Sequence, residues 1–337
     1  MGIEAARGIA AVLVILYHTS RHIDLAFHAP ILRAVFQFGH NGVDLFFVIS
    51  GFIIYYVHFQ DVGRPERLVH YASRRFSRIM PTYWVALVAT LLMISLGTHP
   101  EPGIAALVSQ SVFLPSGVPM ILGVAWTLNY EATFYVLFAT LIANRLAGWI
   151  LFAGWFGFVI LSAVIGWHVP GLPDRFQNAV VLEFGAGMAV AAIAKRNLSL
   201  PAPAVLAAGL AVFAAGAWFE DRGQLDGYAD MARLIYGGAS VLVVLGLVSL
   251  PNQGWFARHR LLGVLGSASY SLYIFQFVFI GTAWQAMLHT GVAALIPPLP
   301  QFAMLATAAI TGGVLASRHV EQPLIRACRS IRVIAPA

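Results

Sequence analysis

Two ionisable residues, Arg7 and His18, lie in a strongly apolar stretch at the start of the chain. Their spacing brings them to nearly the same side of an α-helix, three turns and about 16 Å apart along its axis. Ionisable side chains in a membrane-spanning helix are costly and usually face the interior of a bundle or a water-filled cavity. The pair is therefore the first candidate for chemistry, with Arg7 near one membrane face and His18 deeper.

A carboxylate follows in the second apolar stretch, within Gly42-Val43-Asp44-Leu45-Phe46-Phe47. The depth of Asp44 predicts that it reaches the ring of His18. Contact with a carboxylate makes an imidazole more basic and fixes its tautomer, which suits a general base that takes a proton from a hydroxyl group. The alternative is an ion pair that only joins the first two helices, because buried pairs serve structure as well as catalysis.

A second carboxylate, Glu131, lies near the middle of the fourth apolar stretch, one helical turn before Tyr135. It could orient an acceptor sugar, hold a catalytic proton or pair with an arginine such as Arg7. Structural pairing alone is the competing interpretation. Glu183 has fewer polar neighbours, which favours a structural or protonated group there.

A metal site is the alternative function for the first histidine, because His22 follows His18 by four residues. Two histidines at this spacing share one face of a helix and can bind a metal ion or haem. No second pair of ligands is evident at a matching depth. We therefore expect no metal.

Three arginines, Arg74, Arg75 and Arg78, lie between the second and third apolar stretches. If this segment is helical, Arg74 and Arg78 share a face, and so do Arg75 and Arg78. Guanidinium groups at this spacing can bind phosphates in bidentate fashion, and the start of the next helix would add a favourable dipole. The alternative is a loop that collects arginines and contacts anionic lipid.

The composition indicates the class of protein that must position these residues. Hydrophobic residues make up 59% of the 337, charged residues only 10%, and the mean hydropathy is +0.79. These values are too apolar for a soluble domain, so the sequence predicts a polytopic membrane protein. The net charge of +6 then reflects topology and not nucleic-acid binding. The single Cys328 excludes an intrachain disulfide framework and a cysteine nucleophile within the membrane.

Ten apolar stretches have nearly the length that a membrane requires. They lie at about 6–27, 42–60, 80–97, 119–142, 148–167, 177–194, 202–219, 232–250, 263–288 and 301–318. The apolar core of the first stretch also has the length of a signal-peptide core, but no small-residue cleavage site follows it closely. A retained first helix with one polar face fits better.

The distribution of basic residues predicts the orientation of these stretches. Fifteen of the 20 Lys and Arg residues fall in the segments that are inside when the N-terminus is cytoplasmic. The five predicted outside are Arg21, Arg33, Arg175, Arg222 and Arg233. We therefore expect an all-α bundle of about ten spanning helices with both termini in the cytoplasm. It forms one domain over 1–337, with a short basic cytoplasmic tail at 319–337.

Six motifs occur together and in order along almost the whole chain. They are Arg7-x10-His18, the run from Gly42 to Phe52, Arg75-x-x-Arg78, Trp126-Thr127-Leu128 leading to Glu131, Ser269-Tyr270-Ser271-Leu272-Tyr273, and Glu321-x-Pro323. Each alone is weak, but the first two are specific in combination. In this combination the sequence resembles the bacterial membrane acyltransferase family 3.

The resemblance implies an integral-membrane O-acyltransferase. Such an enzyme moves an acyl group, most often acetyl from acetyl-CoA, to a hydroxyl of an envelope or secreted carbohydrate. The family's arginine–histidine pair maps to Arg7 and His18, and its cytoplasmic arginine motif to Arg75 and Arg78. The chain resembles the short members associated with exopolysaccharide, which have no added hydrolase-like domain. Gln276 stands where relatives often have a histidine, so that histidine's role does not transfer.

The resemblance and the local chemistry together predict a mechanism in the bacterial inner membrane. The phosphates of acyl-CoA would bind near Arg74, Arg75 and Arg78, with its pantetheine arm beside the first helix. His18, oriented by Asp44, would act as a general base or as the nucleophile, and both remain open. A cation such as Arg7 would stabilise the developing charge. The expected partners are acyl-CoA, a carbohydrate acceptor and membrane lipids, with no nucleic acid.

Two other classes of function are compatible with charges inside a helix bundle. A transporter or flippase of a lipid-linked saccharide would also carry ionisable residues near the membrane centre. A membrane sensor or scaffold would use them only for structure. Acyl-CoA-dependent incorporation of acyl groups distinguishes the enzyme from both.

Overall fold

The structure is a computed structural model that describes residues 1–95, 103–114, 119–196, 199–251 and 254–330, except for the side chains of Ile31 and Ala257. Within these ranges the protein is helical and has no β-strand. The helices are α1 (Gly2–Phe27), α2 (Pro30–Phe36), α3 (Gly42–His58), α4 (Leu68–Ser95), α5 (Ile104–Ser111), α6 (Trp126–Ala143), α7 (Arg145–Ile165), α8 (Leu182–Lys195), α9 (Ala202–Asp221), α10 (Asp230–Ser249), α11 (Gly254–Arg258), α12 (Arg260–Ser267), α13 (Ser269–His289), α14 (Val292–Leu295), α15 (Pro298–Ala316) and α16 (Gln322–Ser330).

Each of the ten predicted apolar stretches contains one long helix. These are α1, α3, α4, α6, α7, α8, α9, α10, α13 and α15. Eight helical segments of the described residues are long and apolar enough to cross a membrane, and α6 and α8 are not among them. Helix α8 has only 14 residues. An all-helical, multi-pass membrane fold is confirmed, whereas ten spans and the side on which the termini lie stay predictions.

The direction of each helix follows from its contacts at the two ends of the bundle. We call the end where α1 begins the first face and the opposite end the second face. Helix α12 packs on the start of α1, because a Cβ at Gly266 would lie 2.4 Å from the carbonyl oxygen of Glu4. Helices α1 and α13 therefore both run from the first face to the second. Helices α3 and α8 run the other way, and both end at the first face, where the Lys195 ammonium lies 4.3 Å from the ring of Tyr56.

Small residues allow the helices that carry polar groups to approach closely. A Cβ at Gly187 of α8 would lie 2.0 Å from the carbonyl oxygen of Val48 in α3. A Cβ at Gly8 of α1 would lie 2.7 Å from the backbone nitrogen of Gly266. Lipid tails are as apolar as leucine, so helices in a membrane associate through such backbone packing. These contacts fix α1 and α3 at the depth where the candidate site lies.

Helix α4 differs from its predicted boundary. The apolar stretch predicts a start near residue 80, but the helix begins at Leu68 and continues through Pro81. Proline inside a helix removes one backbone hydrogen bond without preventing the helix from continuing. The segment with Arg74, Arg75 and Arg78 is therefore helical and not a loop.

The end of the chain continues from α15 through a π-helical turn, Ser317–Glu321, into α16. Glu321 is buried within this turn. Residues 331–337 of the predicted tail, including Arg332, lie outside the described residues. The basic tail at 319–337 and the single domain over 1–337 stay predictions.

Candidate functional site

Two cavities meet inside the bundle. The acceptor-side cavity, as we call it, has a volume of about 380 Å³ and lies toward the second face. It is lined by Val14, Tyr17, His18, Arg21, His22, Leu25, His40, Val43, Trp126, Tyr228, Arg233, Tyr273 and Phe277. The donor-side pocket has about 60 Å³ and is lined by Arg7, Val43, Phe46, Phe47, Ser50, Arg78, Ile79, Thr127, Leu128, Glu131, Tyr135, Ser269, Tyr270 and Tyr273. Val43 and Tyr273 line both cavities, so the two share a wall.

Helix α1 contributes one candidate residue to each cavity. Arg7 lines the donor-side pocket and His18 lines the acceptor-side cavity. Arg7 and His18 therefore line different cavities, and the shared wall lies between them.

The partner of His18 is a glutamine. Its Nδ1 lies 2.9 Å from Oε1 of Gln276, and Nε2 of that amide donates to the backbone carbonyl of Tyr273 at 2.8 Å. The second bond assigns the amide so that its oxygen faces the histidine. Because an amide oxygen only accepts, Nδ1 carries the ring proton and Nε2 keeps the lone pair. Gln276 therefore fixes the tautomer in which Nε2 can accept a proton.

Substitution of Gln276 tests this positioning role. We expect Gln276→Leu to lower the acyl-transfer rate about tenfold, because one hydrogen bond that orients the ring is lost. Gln276→Glu keeps an oxygen acceptor and should restore most of the rate, whereas Leu is of comparable bulk and lacks the acceptor, so the difference between the two variants separates the hydrogen bond from a steric role. The measurement is kcat for acyl transfer by each purified variant. Equal activity of Gln276→Leu and the parent protein would contradict the assignment.

The predicted contact between Asp44 and His18 is wrong. The Oδ2 atom of Asp44 lies 2.7 Å from Nη1 of Arg233 in α10, and the carboxylate is fully buried. An arginine stays charged and pairs with a buried carboxylate better than a neutral imidazole does. The alternative, in which Asp44 forms a structural ion pair between helices, agrees with this contact, but the pair joins α3 to α10 and not to α1. Arg233, predicted to lie on the outer side, lines the acceptor-side cavity toward the second face.

Glu131 lies at the centre of the donor-side pocket. Its Oε1 accepts a hydrogen bond from Ser50 Oγ at 3.0 Å and a very short one from the hydroxyl of Tyr135. Arg7 and Arg78 line the same pocket. No ion pair within 4.0 Å joins Arg7 to a carboxylate among the side chains that the structure describes. The pocket thus holds two guanidinium groups and one carboxylate that is already hydrogen-bonded.

The three arginines of α4 differ in exposure. Arg75 and Arg78 are partly buried, whereas Arg74 is exposed. The guanidinium carbon of Arg75 lies 5.8 Å from the ring centre of Tyr135, and the buried Nε atom of Arg75 has no hydrogen-bond partner. The arginines lie well inside α4, so the predicted help from a helix N-terminus does not apply. Arg75 and Arg78, three residues apart, form one inward-facing pair.

Hydrogen bonds hold this part of α4 against its neighbours. The hydroxyl of Tyr270 in α13 donates to the carbonyl of Ile79 at 3.0 Å, next to Arg78. The hydroxyl of Tyr71 in α4 donates to the carbonyl of Tyr135 at 3.0 Å. Buried polar bonds of this kind restrict the helices to one arrangement. The arginine pair therefore has a defined position relative to Glu131.

A polar network closes the second-face end of the acceptor-side cavity. The hydroxyls of Tyr17 and Tyr228 lie 2.6 Å apart, and Arg21 donates to Tyr17 at 3.0 Å. His40 stacks on Tyr228 and lies 2.8 Å from Glu220. Burial, together with the hydrogen bond shared with Tyr17, raises the pKa of Tyr228. The connection between α9 and α10 thus lies over the cavity and carries an aromatic surface.

The remaining ionisable candidates form no metal site. No group of three or more His, Cys, Asp or Glu side chains that could hold a metal occurs in the part of the chain that the structure describes. The ring of His22 packs edge-on against Trp284 at 5.0 Å. Glu183 is buried beside Gly237, and its charged neighbours are the Asp44 carboxylate and the Arg233 guanidinium. A buried carboxyl next to a second carboxylate fits the predicted structural or protonated group.

Comparisons with known proteins decide the family. The model of the acyltransferase domain of family 3 matches residues 2–318, which is nearly the whole chain. The chain belongs to this acyltransferase family. It is also 31% identical, over 320 residues, to the exopolysaccharide production protein ExoZ of Rhizobium meliloti (strain 1021), covering 89% of this chain and 94% of that protein. No solved structure matches the chain. The predicted family membership is confirmed, and with it a membrane acyltransferase.

Gln276 and three cavity-lining residues, Ser50, Thr127 and Tyr273, were not predicted as site residues. Ser50, Thr127 and Tyr273 lie within the family motifs, but their spacing gives no sign of which cavity they line. Gln276 was noted only as a departure from the family pattern. The available signal was the position of Gln276, a polar residue in an apolar helix three residues after the Ser269–Tyr273 motif. Its partner, 258 residues away in the sequence, was not visible.

Proposed function

We propose that this acyltransferase moves an acyl group from acyl-CoA to a hydroxyl group of an exopolysaccharide or its lipid-linked precursor, and that this acyl group is acetyl. The observation that carries the proposal is the pair of adjoining cavities that α1 lines at two depths. One contains Arg7 with Arg78, and the other contains His18. A donor and an acceptor can thereby approach one reaction centre from opposite faces.

The donor side is the first face. Acyl-CoA carries several phosphates, and Arg75 with Arg78 presents two partly buried guanidinium groups at the inner end of the bundle. Guanidinium groups bind phosphate oxygens in a planar, bidentate geometry. The unpartnered Nε of Arg75 is a further free donor. The pantetheine arm then extends past Arg7 toward the shared wall.

The acceptor side is the second face. The acceptor-side cavity combines aromatic side chains, Trp126 and Tyr228 among them, with polar groups of α1. Such a mixture of apolar surface and a few placed polar groups is typical of small-molecule sites. The carbohydrate function named for the relative ExoZ supports a sugar as the occupant. A sugar ring on the aromatic surface would bring a hydroxyl group to His18.

The chemistry follows from the tautomer of His18. Nε2 takes the proton of the acceptor hydroxyl while the oxygen attacks the thioester carbon. The C–S bond then breaks, and the imidazolium returns the proton to the CoA thiolate. The guanidinium of Arg7, three helical turns from His18 in the donor-side pocket, supplies positive charge on the donor side. The histidine works in a mostly apolar cavity, where such charges interact strongly.

The test is acyl transfer in sealed proteoliposomes. Radiolabelled acetyl-CoA is supplied at the first face and an exopolysaccharide oligosaccharide at the second. We expect label on the oligosaccharide only when both are present and on these sides. Translocation of unmodified saccharide without incorporation of label would support the transporter alternative and overturn the enzyme.

The arginine pair gives a graded prediction for the donor. We expect Arg75→Ala and Arg78→Ala each to weaken binding of CoA about tenfold, since a charge-assisted hydrogen bond contributes about 1.5–3 kcal/mol. The loss should shrink in high salt, which screens phosphate contacts. Arg74→Ala is the matched control, with a smaller loss because its side chain is exposed. Isothermal titration with CoA measures all three, and equal losses at the three positions would contradict the inward pair.

We place the protein in the bacterial inner membrane with the first face in the cytoplasm. Arginines and lysines are concentrated at this face, in α4 and in the connections next to Arg145 and Lys195. Acyl-CoA is present in the cytoplasm, so the donor pocket faces its source. Membrane lipids surround the bundle, because only 22% of the apolar window of α7 is buried inside the protein.

A further inference from the structure

Tyr273 separates the two cavities. Its ring lies in the wall that the donor-side pocket and the acceptor-side cavity share, and the residue is 7% exposed. The ring of Phe46 packs edge-on against it at 5.6 Å. Val43 is the other residue that lines both cavities. The side chain of Tyr273 is thus the larger part of the barrier between donor and acceptor.

Two polar contacts hold the hydroxyl of Tyr273 in this position. Oγ1 of Thr127 lies 3.0 Å from the hydroxyl, which in turn lies 3.3 Å from the carbonyl oxygen of Val124. Thr127 lies in the first turn of α6 and Val124 in the turn just before it, whereas Tyr273 belongs to α13. The hydroxyl therefore fastens one helix to another across the boundary of the two cavities. Its bonds are few and neutral, so the closed position can be left at modest cost.

The sizes of the cavities require this barrier to move. The donor-side pocket has about 60 Å³, which is enough for a few water molecules but not for an acylated pantetheine arm. The partner of His18 lies beyond the barrier, because Gln276 is one turn after Tyr273 on α13. A thioester can therefore reach the histidine only if the side chain of Tyr273 moves out of its path.

We propose that Tyr273, held by Thr127, is a gate between the donor-side pocket and the acceptor-side cavity. The closed gate keeps water from the thioester, and the open gate lets the acyl group meet the acceptor hydroxyl beside His18. This role extends the proposed function, but the barrier itself does not depend on the identity of the donor. Closing off water is a known use of moving elements in active sites.

The gate predicts a specific side reaction. With the barrier removed, water can replace the acceptor hydroxyl at the thioester carbon. The C–S bond then breaks, a bond forms between the acyl carbon and the water oxygen, and a water proton passes to the CoA thiolate. The products are free acetate and CoA. Tyr273→Ala should therefore hydrolyse acetyl-CoA without any acceptor.

The direct test measures access and not activity. A reporter thiol, Ser50→Cys, lies in the donor-side pocket, and Cys328→Ser removes the natural thiol. A charged, membrane-impermeant methanethiosulfonate is added to the second face of sealed vesicles. We expect Tyr273→Ala to speed labelling about tenfold or more, the factor that corresponds to about 1.4 kcal/mol of preference for the closed gate.

A matched control removes a ring of similar size from the same helix. Phe275 is 4% exposed and lines neither cavity, so Phe275→Ala should leave the labelling rate unchanged. Tyr273→Phe keeps the ring but removes the hydroxyl, and should speed labelling about fivefold, which corresponds to about 1 kcal/mol. If Tyr273→Ala does not fold, Tyr273→Phe by itself tests the gate.

The outcomes distinguish the gate from the proposed function. Faster labelling together with acceptor-independent hydrolysis supports both. Faster labelling without hydrolysis supports the gate and counts against acyl-CoA as the donor. Labelling that stays slow in both Tyr273 variants, or that rises equally in Phe275→Ala, overturns the gate.

Discussion

His18→Ala should lower acyl transfer by about 10²–10⁴-fold, the contribution of a positioned general base. We expect this loss because Gln276 orients the imidazole ring so that Nε2 holds the lone pair that accepts the proton. His18→Gln should fail as well, since an amide cannot take a proton from a hydroxyl group. The measurement is acetyl incorporation into the acceptor by purified protein in lipid nanodiscs.

The control for this substitution is a histidine outside the cavities. His289 is exposed at the end of α13, and His289→Ala should keep the parent activity. Binding of CoA should also survive in His18→Ala, because the arginine pair is intact. Full acetyl transfer by His18→Ala, with normal CoA affinity, would remove the histidine from the mechanism.

Breaking the pair between Asp44 and Arg233 should give the largest loss of stability. Either Asp44→Leu or Arg233→Leu leaves one buried charge without its partner, which costs about 3–5 kcal/mol. The double substitution replaces both charges with apolar groups and should recover most of this loss. Thermal unfolding of the three variants in the same detergent measures the effect.

An exposed ion pair at the second face provides the comparison. Arg33 lies 3.4 Å from Asp24, and about half of the Arg33 side chain is accessible. Exposed pairs contribute about 0–1 kcal/mol, so Arg33→Leu should hardly change the unfolding temperature. If Asp44→Leu were as stable as the parent but inactive, Asp44 would have a catalytic role and not the structural one seen here.

Much of the architecture could be predicted because hydrophobic length is a property of the chain alone. Ten apolar stretches were predicted, and each coincides with a helix of 14 residues or more. The boundary of α4 was not predicted, because Pro81 resembles a helix start and the helix passes through it. Eight segments qualify as membrane spans, since α8 is short and α6 carries Glu131 among other polar residues.

The site was predicted only in part. Arg7 and His18 share a helix, so their relation follows from a fixed rise per residue. Asp44 and its partner belong to helices that are 189 residues apart in the chain, and a helix alone does not specify which neighbour it packs against. The assignment of Asp44 to His18 was therefore wrong. The inward pair of Arg75 and Arg78 follows from the helix, but the exposure of Arg74 does not.

The sequence by itself determined an all-helical membrane protein, its family, and the two ionisable residues of α1. These depend on composition, on local spacing and on motif order, which are all properties of neighbouring residues. Only the tertiary structure decided that Gln276 orients His18, that Arg233 neutralises Asp44, and that Tyr273 divides the two cavities. Each of these contacts joins distant helices, and their packing depends on the fit of side chains across the whole bundle.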